Sequence, residues 1–438
     1  MRIKRDLGIA LVILFVATSC TNSPVDDRQI VITYTEVQGD QTSFILEALN
    51  PMEILSQIEI RPMPVPTDLL NIEPYVLSLS TASAAIDAYL LDTPWVKRYS
   101  ETNWLAPINQ GTREFDLSGF RRELIDVTSI GEGENRKVLA VPFETKGNLL
   151  FYRKDLLDDF GFEAPETWDQ LFSQCLQILN TTGTKGPRFG FLFHGELIVN
   201  DFYPIIWGFN GGVFDENGKV TVNRPENVRA LAMVKRMLGT ISPTAREMID
   251  LGILDDYKAI DRLFAAGDAI FMINWNIRWG DLERGVDGQV ISVDQVGVAP
   301  IPSEEGNPHY SNIGSFGWGI NYFSHNPDEA MLLIEALTSY EAQRWRAINN
   351  GIIPARMDVL DDPELQSTSP AVLKIARVFE KLVLRARPFQ REINNILDSA
   401  LIQALIDDLD PLEKLTAAQR DIEAELAWVE RSRAGVVR

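Results

Sequence analysis

This chain of 438 residues contains two cysteines and three histidines. Cys20 and Cys175 are too few to staple a protein of this size, so a hydrophobic core must hold it. His194, His309 and His325 lie far apart without metal-ligand spacing, and neither a metal nor a cofactor is expected. Also missing are a GxSxG elbow, an HExxH pair, a Walker loop and a GxGxxG turn. The glycines of "SFGWG" and "GFNGG" have no phosphate-loop pattern, so they read as turns or close backbone approaches. Positive charge is scarce: 41 Lys and Arg against 62 Asp and Glu give a net charge of −21. Nucleic acid and anionic membrane faces bind cationic surfaces, so both are poor partners for this chain. With so many carboxylates a glycosidase pair is not excluded by counting, but nothing singles one out.

What is present is the composition of a packed protein, 45% hydrophobic and 24% charged, long enough for two domains. Residues 1–19 read as a signal peptide. Arg2, Lys4 and Arg5 form its basic end, and the apolar run Leu7–Ala17 is too short to span a bilayer. Small residues lead into Cys20 as in a bacterial lipobox, with Ala17 where leucine is usual. Lipidation of Cys20 is therefore expected, with residues 20–27 as a tether. Cys175, in "QLFSQCLQIL", sits among helical apolar positions as a small core filler.

Strand-like segments "IVITYTEV", "QIEIRPMPV" and "IDAYLLD" alternate with helical ones, which predicts an α/β protein with a mostly parallel sheet covered on both faces. Further strands are "PRFGFLF", "DAIFMINW", "VGVAPI" and "SFGWGINYF". Thr167 with Gln170 predicts a capping box, as do Asn326, Pro327 and Glu329 in "HNPDEA"; Gly161 suits a helix C-cap. The last third reads as helices over 327–349, 371–386, 391–409 and 411–430.

Trp95, Trp207, Trp275 and Trp318 fall just beyond strands or in glycine-rich turns, where α/β sheets open their ligand crevice. Trp279 reads as packing. If the other indoles converge beside Asp, Glu and Asn, they suit a polyhydroxylated, partly apolar ligand, with rings covering C–H faces and polar groups meeting hydroxyls. Sugar is the natural candidate, and core packing is the competing reading for each tryptophan.

The stretch "VPFETKGNLLFYRKDLLDDFGFEAPETWDQL" (141–171) resembles the extracellular solute-binding proteins of bacterial sugar ABC importers, the group that includes maltose- and trehalose-binding proteins. "LDTPWVKRYSETNWLAPIN", "DRLFAAGDAIFMINW" and "GSFGWGINYFSHNPDEAMLLIEALTSYEAQRWRAINNGIIPAR" continue the match in family order. The resemblance implies a two-lobed periplasmic-binding-protein fold with hinge crossings and a helical C-terminal part. Lobe one would take 28–142 plus 298–345, and lobe two 143–297 plus 346–438. A di- or oligosaccharide would sit between the lobes, and the closed form would dock on permease subunits, lipid-anchored at the outer face of the cytoplasmic membrane. By position, lobe one would offer Glu36, Asp92 beside Trp95, and Gly317 with Trp318. Lobe two would offer Trp207, Gly211, Asn274 and Trp275, with Arg356 and Arg387 as hydroxyl donors unless ion pairs occupy them.

One departure stands out. Where many members carry an aspartate after the crossing strand's aromatic, this chain has Lys146, preceded by Glu144. Lysine only donates. Residues two apart on a strand share a face, so Glu144 and Lys146 are expected to meet the same ligand or to form an exposed pair at the seam. An exported hydrolase, and an adhesion or sensory protein on the same fold, are the competing functions.

Overall fold

The computed structural model describes residues 30–37, 42–49, 58–65, 73–100, 102–108, 115–193, 198–254, 256, 258–386 and 391–433. The expected signal peptide, the tether with Cys20, and Arg387 lie outside these residues. In chain order the strands used below are β1 (Ile30–Val37), β2 (Ile58–Val65), β3 (Ala88–Asp92), β4 (Leu105–Ala106), β5 (Val141–Pro142), β6 (Asn148–Arg153), β7 (Phe189–Leu192), β8 (Ala269–Trp275), β9 (Val296–Ala299), β10 (Tyr310–Asn312), β11 (Phe316–Asn321) and β12 (Val383–Arg385).

Two sheets organise the chain. The first runs β2-β1-β3-β11-β4, with β5 also on β11; the second runs β9-β6-β8-β7. Each carries its own core. Tyr34, Leu90, Phe143, Trp318 and Ile334 belong to the first, and Phe151, Trp168, Phe191, Phe271 and Phe379 to the second. The stretch after residue 298, placed in lobe one by the sequence, contributes Val298, Ala299, Ile301 and Tyr310 to the second core.

Both sheets are mixed rather than mostly parallel. β1 is parallel to β2 and β3, and β8 to β7, but β11 runs antiparallel to β3, β4 and β5. β6 likewise opposes β8 and β9. The cause is the route of the chain. β6 and β11 enter straight from crossings between the lobes, so each starts at the end of the sheet where its neighbour stops: Asn148 faces Trp275, and Phe316 faces Asp92. A parallel neighbour would need a helical crossover first.

Several local signals held, and one failed. Thr167 Oγ1 accepts the Gln170 N–H and the capping box is complete, while Gly161 closes its helix at φ 68°. Cys175 is fully buried, and Trp279 is buried with Nε1 donating to Glu283 at 2.7 Å. The box at Asn326 does not form. Pro327 begins the helix, but the Asn326 backbone N–H that Glu329 would have satisfied donates instead to Ser324 Oγ at 3.0 Å. The helix expected over 371–386 ends at Phe379, because Val383–Arg385 pair in parallel with β10.

The segments passing between the lobes lie side by side and are bonded to one another. Thr145 donates its N–H to Ile353 O and its Oγ1 to Pro354 O, both at 2.8 Å. Gln343 Nε2 donates to Phe143 O at 2.7 Å, and its Oε1 accepts the Ala355 N–H at 2.8 Å. Gly314 N–H donates to Lys146 O, and Lys146 N–H to Ser315 Oγ, each at 3.0 Å. Asn276, just past β8, accepts from Gly147 N–H at 3.1 Å and donates its own N–H to Gly147 O at 2.9 Å.

Candidate functional site

The start of β6, the end of β8 and the start of β11 meet at these crossings, and they place Lys146 between two aromatic rings. Its Nζ lies 5.9 Å from the Trp275 ring centroid and 5.1 Å from that of Phe316. One ring closes a strand of the second sheet and the other opens a strand of the first. The benzo edge of the Trp275 indole comes so close to Gly314 that a Cβ there would lie 2.5 Å from it, so any other residue in "IGS" would have to displace the ring. Lys146 and Trp275 are both half-buried. Aromatic faces attract an ammonium but offer it no hydrogen-bond acceptor.

Glu144 goes elsewhere. Residues 143–146 have no regular strand structure, so the shared-face argument fails and the two side chains diverge. Glu144 Oε2 pairs with Arg346 Nη2 at 2.8 Å, with side chains only 8% and 5% exposed. Arg346 also donates Nη1 to Phe143 O at 2.6 Å and lies 3.6 Å above the Phe143 ring. This is a buried ion pair tying two crossings together, neither an exposed seam pair nor a partner of Lys146.

The remaining sequence candidates divide by burial. Asp92 ends β3, half-buried, and Thr93 beside it donates both N–H and Oγ1 to Ser315 O at 2.9 Å. Glu36 Oε1 accepts the Ser43 N–H at 2.9 Å, at the start of the helix Thr42–Leu49. Trp95 is buried in the first core beneath Arg98. Trp318 has no exposed surface; it stands edge-on to Tyr34 and Phe143 at 5.9 and 5.7 Å. Gly317 lets Ala140 and Val141 approach β11, since a Cβ there would sit 3.1 Å from Ala140 Cβ. Trp207 is buried and stacked on Tyr203 at 5.6 Å, and Arg385 lies 4.5 Å over the neighbouring Tyr310 ring.

Gly211 serves a turn: its N–H donates to Ile206 O at 2.7 Å, and a Cβ would fall 2.0 Å from Asn227 Oδ1. Asn274 is wholly buried, donating to Asp261 and accepting the Trp275 N–H at 2.7 Å. It therefore orients Trp275. Arg356 pairs with Asp358 at 2.6 Å and covers Phe120, as the ion-pair alternative anticipated.

Four residues at the crossings escaped the sequence reading. Phe316 could have been found by its period-two relation to Trp318. Arg346 had no local signal. Asn148 and Asn312 have no exposed surface, yet Asn148 Oδ1 and both side-chain polar atoms of Asn312 find no hydrogen-bond partner among the described residues. Buried polar groups are nearly always bonded, so these atoms mark a place suited to water or ligand hydroxyls.

Residues 75–344 match the family described as bacterial extracellular solute-binding proteins. A probable ABC transporter-binding protein of Deinococcus radiodurans is 26% identical over 361 residues, covering 81% of this chain and 82% of the relative. The maltotriose-binding protein of Pyrococcus abyssi is 24% identical across 64% of this chain and 57% of its own length. The structure of maltose-bound T. maritima MalE3 superimposes with a TM-score of 0.74 and 28% identity, covering 90% of this chain and 99% of that one. With two mixed sheets, bonded crossings between them and a family match over more than half its length, the chain belongs to the bacterial extracellular solute-binding proteins.

Proposed function

We propose that this protein is the capturing receptor of a carbohydrate ABC importer. A di- or oligosaccharide, or a glycosylated polyol, enters between the lobes, and its contacts with both favour the closed arrangement. The closed form presents the sugar to permease subunits, and no bond of the sugar is broken here. Lipid on Cys20 would hold the receptor at the outer face of the cytoplasmic membrane. The observation that carries the reading is the meeting of Trp275, Lys146 and Phe316 where strands of both sheets end. An indole face suits the C–H side of a pyranose, and the ammonium and buried amides beside it suit its oxygens. The maltose-bound and maltotriose-binding relatives support a saccharide of this size class.

The test is a thermal-shift and tryptophan-fluorescence panel of mono-, di- and trisaccharides and glycosylated polyols on the purified protein, followed by titration calorimetry of the best ligand. At least one di- or oligosaccharide is expected to raise Tm and change fluorescence, with no product formed. A broad panel that moves neither signal would overturn the reading.

A further inference from the structure

We propose that the saccharide taken by this cleft is acidic, carrying an anionic group that pairs with Lys146. The inference rests on the receptor reading above and narrows its ligand class. Its first support is the company Lys146 keeps. The ammonium has three donors, yet among the described residues it enters no ion pair and no side-chain hydrogen bond. Trp275 and Phe316 hold it by their faces alone.

The second support is where the nearby carboxylates go. Glu144, two residues away and the obvious counter-charge, is consumed by Arg346. Asp201, on the helix Ile198–Gly208, faces the Asn148 amide at 3.5 Å. Asp92 stands at the end of β3 across the ladder from Phe316, without forming an ion pair to Lys146. Among the described residues Lys146 is thus left without a counter-charge at the crossing, in a chain whose net charge is −21.

Third, Lys146 is not a loose surface lysine. Its N–H is held by Ser315 Oγ and its carbonyl by the Gly314 N–H, both at 3.0 Å, so its Cα is fixed between the lobes. A uronic acid matches this arrangement in one residue. Its ring stacks a C–H face on the Trp275 indole while the carboxylate, hanging from the ring edge, meets the ammonium. A charge-assisted bond of this kind is roughly twice as strong as a neutral one. A neutral sugar closing the lobes would shield the ammonium from water and leave it without a counter-charge, which selects against it.

The experiment compares matched pairs by calorimetry: digalacturonate with its neutral galactose disaccharide, an aldobiouronic acid with xylobiose, and a phosphorylated disaccharide with its parent. The wild-type protein is expected to bind an acidic member at least roughly tenfold more tightly than its neutral partner. Lys146→Met is expected to abolish that preference by weakening the acidic member, and Lys146→Arg to keep it; melting curves of both variants check that they fold. Preference for the uronates assigns a carboxylate, and preference for the phosphorylated sugar assigns a phosphate; either supports the anionic ligand. Equal binding of neutral and acidic partners, or a preference that survives Lys146→Met, overturns the inference and leaves the receptor reading standing. Binding by no saccharide of either class removes both.

Discussion

Replacing Glu144 by alanine isolates the buried pair that ties the crossings. In the native protein Arg346 faces Glu144 at 2.8 Å, and both side chains are almost sealed from water. The substitution removes the Glu144 carboxylate but leaves the guanidinium where it is, held by the Phe143 carbonyl and lying over the Phe143 ring. Breaking one side of a buried pair costs about 3–5 kcal/mol, because the remaining charge loses part of its compensation while it stays desolvated. At about 2–4 °C per kcal/mol for a domain of typical size, Tm should fall by roughly 6–20 °C. Urea unfolding of the ligand-free protein reads the free energy directly. The double variant Glu144→Leu with Arg346→Met should recover most of the loss, since a packed apolar pair is often as stable as a buried ionic one. A loss below about 1 kcal/mol for Glu144→Ala, the range of exposed pairs, would refute the burial on which the reasoning depends.

Three further outcomes are expected. Burial lifts the Cys175 thiol well above its ordinary value, so Ellman's reagent should label it only after denaturation; equal native and denatured rates would contradict its place in the core. Burial raises the Asp398 carboxyl to about 6, opposed by its bond from the Val199 N–H. A raised carboxyl stabilises the fold while protonated, and that contribution fades as pH climbs through about 6. Asp398→Asn should therefore be more stable than wild type at pH 8, with the difference closing below pH 4; a pH-independent difference would dismiss this sign. Gly211→Ala must displace Asn227 or the turn itself, and should cost about 1–3 kcal/mol in a denaturation curve.

The sequence disclosed what was local. The strand-like segments "IVITYTEV" and "DAIFMINW" predicted β1 and β8, and Thr167 with Gln170 predicted the start of a helix, because strand composition and capping are fixed within a few residues. Sheet direction was illegible: nothing in "SFGWGINYF" says that the strand arrives from a crossing and not from a helix. The glycines around Trp318 read as turns or close backbone approaches, and the second holds: they make room for β5 and for Leu105 on either side of a buried strand. Lys146 was legible as a departure, and Trp275 as a strand-end indole. The fate of Glu144 was not, since its partner lies 202 residues on. Position in the chain marked where the site lies, but only tertiary packing decided which charge remained available in it.

The late arrival of β11 also has a consequence in time. Thr93 is bonded to a carbonyl 222 residues further along the chain. At roughly 5–20 residues per second, a ribosome takes on the order of 10–45 s to deliver that partner. Throughout that interval β3 has β1 on one side and an open edge on the other. A first half that cannot complete its sheet until the second has been synthesised stays pliable while it emerges. That is the condition in which a polypeptide can still be drawn end-first through a narrow pore.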